Sequence, residues 1–162
     1  MDRPTTNSTA PFVLRPATPS DAGSLIDMFQ QLASFEGASH PPHLDHGILE
    51  RDVFTPTPRL HVLIAETLSP DTTPHLIGFV SWFKNYSSWE GREGLHICDL
   101  WVSESTRRKG VASALLSEVS KVCDGRLDVF VKRENRKAQT FYESMGFRER
   151  DEWCLYRRTS KA

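Results

Sequence analysis

The chain has 162 residues, of which 38% are hydrophobic and 25% charged, with a formal net charge of −1. That is one ordinary domain able to hide roughly 70% of its unfolded surface without staples, which excludes a disordered chain. No apolar run approaches the ~20 residues of a membrane span, and the near-zero charge offers no general drive toward nucleic acid.

Cys98, Cys123 and Cys154 are scattered with no C-x-x-C. They fit reduced thiols in a cytoplasmic chain and argue against a disulfide framework or a zinc site. Charge is unevenly spread: residues 1–98 carry 6 Lys/Arg against 11 Asp/Glu, whereas 99–162 carry 14 against 10. An anionic ligand therefore suits the second half and a cationic one the first, although two solvated faces give the same balance.

Met1–Pro11 is rich in Thr, Ser, Asn and Pro. It lacks the apolar core of a secretory signal and reads as a loose tail, with residues 12–158 as the domain and 159–162 as a second short tail. Phe12–Pro16 predicts a short strand. Ser20 or Thr18 then caps a helix whose Leu25, Ile26, Phe29, Leu32 and Ala33 recur on one face to about Phe35, where Gly37 stops it. Ser39–His46 is a loop, and Ile48, Leu49 and Val53 suggest a short second helix. Strands follow at about 60–66, 75–86 and 95–102. A strong helix spans about 108–123, with Val111, Ala112, Leu115, Leu116, Val119 and Val122 as its buried stripe. The run 127–131 makes a strand–helix–strand unit with parallel pairing. Asn135 caps a last helix closed by Gly146, and Phe147 to about Arg158 predicts a final strand. The fold class is α+β: a mixed, mostly antiparallel sheet flanked by about four helices.

The stretch Leu100-Trp101-Val102-Ser103-Glu104-Ser105-Thr106-Arg107-Arg108-Lys109-Gly110-Val111-Ala112-Ser113 carries the most information. A strand ends, a polar turn follows, and a helix begins behind three cations and a glycine. Unpaired N–H groups at a helix start, with the helix dipole, make an anion cradle suited to a pyrophosphate. Neither G-x-x-x-x-G-K-[ST] nor G-x-G-x-x-G is present.

Arg107-x-x-Gly110-x-Ala112 resembles the Q/R-x-x-G-x-G/A signature of the GCN5-related N-acetyltransferases, the GNAT family. Asn135-Arg136-Lys137-Ala138-x-x-Phe141-Tyr142-x-x-x-Gly146-Phe147 is similar to that family's second signature, and the opening FVLRPATPSD also fits. Within the family the likeness is to diamine (spermidine/spermine-type) acetyltransferases, through Leu32-Ala33-Ser34-Phe35-Glu36 and Trp89-Glu90-Gly91.

The resemblance implies acetyl-CoA as cosubstrate, no metal, and a small cationic amine as acceptor. It implies a pantetheine arm along the backbone of Leu100, Trp101 and Val102. The pyrophosphate would sit on Arg107, Arg108, Lys109, Gly110, Val111, Ala112 and Ser113, with Asn135, Arg136 and Ala138 along the arm. Tyr142 becomes the general acid that protonates the leaving thiolate, although periodicity alone reads it as a core tyrosine. Asp99 and Glu36 become the acceptor carboxylates, with Phe35 and Cys98 beside them. Diamine acetyltransferases carry adjacent acids where this chain has Cys98-Asp99, which opens the reading to a lysine-like amino acid or a peptide amine. Cys98 itself is expected as a small buried hydrophobe rather than a nucleophile. His40-x-x-His43-x-x-His46, interrupted by Pro41-Pro42, reads as a substrate-side loop, and His96 as a neighbour of Asp99 able to relay a proton. A homodimer follows from the resemblance. The reading of another class is a non-catalytic CoA-binding module.

Overall fold

The computed structural model describes residues 12–68 and 73–159; the expected N-terminal tail lies outside them, as does most of the C-terminal one. Residues up to Phe130 form one compact unit, and Val131 onward a second.

In the first unit five strands run in sequence order: β1 (Phe12–Pro16), β2 (His61–Thr67), β3 (Leu76–Ser87), β4 (Arg92–Val102) and β5 (Leu127–Val129). The pairs β1–β2, β2–β3 and β3–β4 are antiparallel, and β4–β5 is parallel. Parallel pairing needs a crossover, supplied here by α3 (Val111–Ser120).

Helices α1 (Ala22–Phe35) and α2 (His46–Asp52) lie between β1 and β2 in the chain. The apolar stripe of α1 buries Leu25, Met28 and Phe29 against Val62, Ile64, Phe79 and Trp101. Helix α3 buries Val111, Leu115, Leu116 and Val119 against β2, β3 and β4. None of these joins the α1 cluster, so α3 covers the opposite face. Thr18, not Ser20, sets the entry to α1: its N–H and Oγ1 both donate to Asp21 Oδ2 at 2.8 Å in a one-turn 3-10 helix. Gly37 ends α1 at φ +66°.

The expected long helix from residue 108 starts later, at Val111. Arg108 has φ +63° and Gly110 has φ +80°, conformations no right-handed helix accommodates. The second unit holds α4 (Arg136–Ser144). Asn135 caps it by accepting from the Ala138 N–H at 3.1 Å.

The strand expected from Phe147 to Arg158 is absent; the described residues there are turn and irregular backbone, and those from Arg148 on are exposed. The apolar run Trp153-Cys154-Leu155-Tyr156 has the composition of a strand without supplying a partner strand.

Candidate active site

The site in the first unit begins with a bulge. Opposite β4, Ser81 pairs with Asp99 and Trp82 with Ile97, leaving Cys98 as the extra residue. A regular strand puts positions 96 and 99 on opposite faces. The bulge resets the alternation, so that His96 (opposite Phe83), Asp99 (opposite Ser81) and Trp101 (opposite Phe79) share one face of the sheet. That is the face covered by α1. The bulge also corrects the expected burial of Cys98: an unpaired extra residue projects outward, and Cys98 is exposed.

Asp99 and Glu36 line the same cavity of about 430 Å³, walled by Phe29, Leu32, Ala33, Pro42, Leu44 and Leu60, with His43 beside them. Glu36 is placed by the end of α1, where its N–H donates to Leu32 O at 2.9 Å. The partial negative charge of that helix end adds to the two carboxylates. Asp99 Oδ2 accepts from Ser81 Oγ at 2.6 Å.

Burial raises the Asp99 carboxyl above its ordinary range, with Glu36 adding to the rise; the Ser81 hydrogen bond and His96 oppose it. The His96 imidazole, flanked by Phe83 at 5.1 Å and Phe130 at 4.7 Å, is lowered chiefly by burial. Both shifts favour neutral forms, which suits groups that exchange a proton with an amine. Although the residue is exposed, partial desolvation of the Cys98 thiol, with Asp99 beside it, pushes it up to about 11. It stays protonated near neutrality and is a poor nucleophile.

Phe35 and Cys98 are not among the residues that line the cavity. Phe35 instead packs on Trp101, ring centroids 5.5 Å apart. The Arg107 guanidinium lies 4.7 Å from the Phe35 centroid and 4.6 Å from that of Trp101, and its Nε donates to Val102 O at 3.0 Å.

Two features lie at the other end of β4. The parallel ladder with β5 stops at Ile97–Val129 while β4 continues to Val102. Among the described residues, Leu100, Trp101 and Val102 therefore have no strand partner on that edge; Val102 O accepts from Arg107, and the edge beside it can take an extended ligand. Beyond the strand, Gly110 is the N-cap of α3 and carries no capping side chain. A Cβ built on it meets nothing within 4 Å. The first-turn amides of Val111, Ala112 and Ser113 thus end at open space, beside the exposed cations Arg108 and Lys109. Backbone amides at a helix start beside exposed cations suit an anion such as a diphosphate.

The model of the Acetyltransferase (GNAT) family matches residues 25–147. The chain belongs to the GNAT family. It is an N-acetyltransferase of the GNAT type, a family that uses acetyl-CoA. It is similar to the thialysine N-epsilon-acetyltransferase of Bos taurus, 27% identical over 90% of this chain and 91% of that one. L-ornithine N5-acetyltransferase NATA1 of Arabidopsis thaliana is 28% identical over 92% of this chain and 85% of its own length. Among solved structures, an aminoglycoside acetyltransferase from an uncultured soil metagenomic sample, in complex with sisomicin, superposes with a TM-score of 0.71. That match covers 93% of this chain and 97% of the other at 14% identity, a likeness of fold alone.

In the second unit Tyr142 is buried, with the rings of Phe141 and Phe147 edge-on at 5.3 Å. Arg136 bonds Gln139 at 2.9 Å. Among the described residues no cluster of His, Cys, Asp and Glu is arranged to hold a metal, and no helix is long and apolar enough to cross a membrane.

Sequence reasoning passed over Ser81 and treated His43 as incidental. Ser81 looks like any small strand residue until β3 is set in register with β4. The cavity wall contributed by Leu44 comes from a loop with no periodic signal, and Leu60, expected to open the strand at 60–66, lies just before β2.

Proposed function

We propose that this enzyme transfers acetyl from acetyl-CoA to a primary amine of a small diamine or polyamine, by direct attack in a ternary complex. The observation that carries the reading is the cavity lined by both Glu36 and Asp99, where two acids and apolar walls match an alkyl chain with separated ammonium groups. Bound acetyl-CoA supplies an acyl group on a thiolate leaving group. The rest is the work of the chain. The unpaired edge at Leu100, Trp101 and Val102 orients the arm, and the open amides of Val111, Ala112 and Ser113, with Gly110, Arg108 and Lys109, hold the diphosphate.

An alkylamine is mostly protonated near neutrality, with a pKa of about 10, so the reacting ammonium must lose a proton first. Asp99, made more basic by burial, accepts it, and Glu36 holds the distal ammonium. Tyr142 as general acid, and Asn135, Arg136 and Ala138 as contacts to the arm, rest on the family motif. Homodimeric assembly rests on the same resemblance, and a cytoplasmic location on the scattered, unpaired pattern of the three cysteines.

A second reading is a lysine-like amino acid acceptor, favoured by the relatives that act on thialysine and ornithine. Against it, the described lining residues include no Lys or Arg, so an α-carboxylate meets two acids and no fixed cation. A thiol-release assay with acetyl-CoA and a panel of diamines, spermidine, ornithine, lysine and thialysine decides between them. Higher kcat/KM for the amines without a carboxylate supports the first reading. The reverse order overturns it in favour of the second, and no stimulation by any amine overturns both.

A further inference from the structure

From the geometry around Arg107 we infer that this side chain couples the acceptor cavity to the coenzyme turn, acting as a positioning residue rather than as a ligand for phosphate. The inference rests on the acceptor and coenzyme sites proposed above.

Arg107 opens the turn that leads to Gly110, yet its guanidinium points back across the site. It stacks on both Phe35 and Trp101, donates from Nε to Val102 O, and pairs with Glu104 at 3.4 Å. One planar cation thus touches the last residue of α1, the exposed edge of β4 and the coenzyme turn. Phe35 is the last residue of α1 and Glu36 its C-cap, so holding Phe35 against Trp101 and Arg107 holds the helix end from which Glu36 reaches the cavity. A lysine keeps the charge but cannot stack a planar face on two rings while bonding a carbonyl. Ordering the turn over a bound diphosphate therefore orders Arg107, Phe35 and Glu36, and the coupling is reciprocal by linkage.

The test measures amine binding by calorimetry with and without CoA, together with separate KM values for amine and acetyl-CoA, in the wild type, Arg107→Lys, Phe35→Leu, the double variant and Glu36→Gln. Wild-type enzyme is expected to bind the amine more tightly when CoA is present. Two cation–aromatic contacts together correspond to roughly 10-fold in affinity. Arg107→Lys and Phe35→Leu are each expected to abolish the effect of CoA on amine binding, to leave amine binding without CoA nearly unchanged, and, by reciprocity, to weaken amine and acetyl-CoA by about that same factor when each is measured with the other saturating. The double variant should do no more than either single one. Amine binding weakened as much without CoA as with it, additive effects in the double variant, or intact coupling in Arg107→Lys overturn the inference. The Glu36→Gln arm keeps the two failures apart. If it leaves the amine KM unchanged, the acceptor site itself is misassigned; if it raises that KM while Arg107→Lys does not, only the coupling is wrong.

Discussion

Replacing Gly110 by alanine separates the backbone conformation of the coenzyme turn from the space around it. Gly110 sits at φ +80° and ψ 0°, and a Cβ there meets no atom within 4 Å. No clash arises, so the cost to the fold is the strain of an L-residue in the left-handed region, about 1–2 kcal/mol. Loss of glycine's unfolded-state freedom offsets about 0.4–1 kcal/mol of this. The net is about 1 kcal/mol or less, a fall in Tm of a few degrees for a chain of this size. Coenzyme binding has more to lose. If the turn relaxes by flipping a peptide, at least one charge-assisted amide bond to the diphosphate goes, at about 1.5–3 kcal/mol, or roughly 10–100-fold in Kd.

Gly91→Ala provides the control. Gly91 has φ +66° and an equally open Cβ position, but it lies in the β3–β4 hairpin turn. Calorimetry with CoA and thermal unfolding of both variants should show similar falls in Tm, with weakened CoA binding in Gly110→Ala alone. Equal CoA affinity in the two folded variants refutes the assignment of the turn.

Tyr142→Phe removes only the hydroxyl from a buried ring and should leave Tm nearly unchanged while lowering kcat by about 10²-fold, the low end for a lost general acid; single-turnover kinetics on folded protein check it. Asp99→Asn keeps an acceptor for Ser81 Oγ but removes a carboxylate whose folded pKa is raised. Such a group makes the protein less stable as pH rises from the ordinary carboxylate range through the raised value. The variant should therefore melt higher than the wild type at neutral pH, and show an amine kcat/KM lowered by about 10-fold or more. Asp21 behaves oppositely: the Arg15 guanidinium, bonded to it at 2.7 Å, lowers its carboxyl to about 2. Its contribution is complete above the ordinary carboxylate range and is lost as pH falls toward 2. After allowance for solvent screening it is about 1 kcal/mol, visible as a shallower acid transition in Asp21→Asn than in the wild type.

Local signals in the sequence carry much of this enzyme. The stripe of α1, that of α3 as far as Val119, the caps at Thr18 and Asn135, the stop at Gly37 and the glycine turn ahead of Val111 are decided within a few residues, because helix periodicity and left-handed backbone are properties of short segments; Val122, expected on the α3 stripe, lies past the helix end at Ser120 and is exposed. The motif around Gly110 places the phosphate end of the site without any long-range information. What only the tertiary structure decided depends on which strand lies beside which. The bulge at Cys98 is seen only once Ser81 and Trp82 are set against Asp99 and Ile97; it brings His96 onto the face that Asp99 and Trp101 already share and leaves Cys98 exposed. Glu36 and Asp99, distant in sequence, meet in one cavity because α1 crosses the sheet where β4 bulges. The residues after Phe147 show the limit from the other side: a run of strand-forming residues such as Trp153–Tyr156 is a local property, whereas a strand also needs a neighbour to take its hydrogen bonds, and pairing is not.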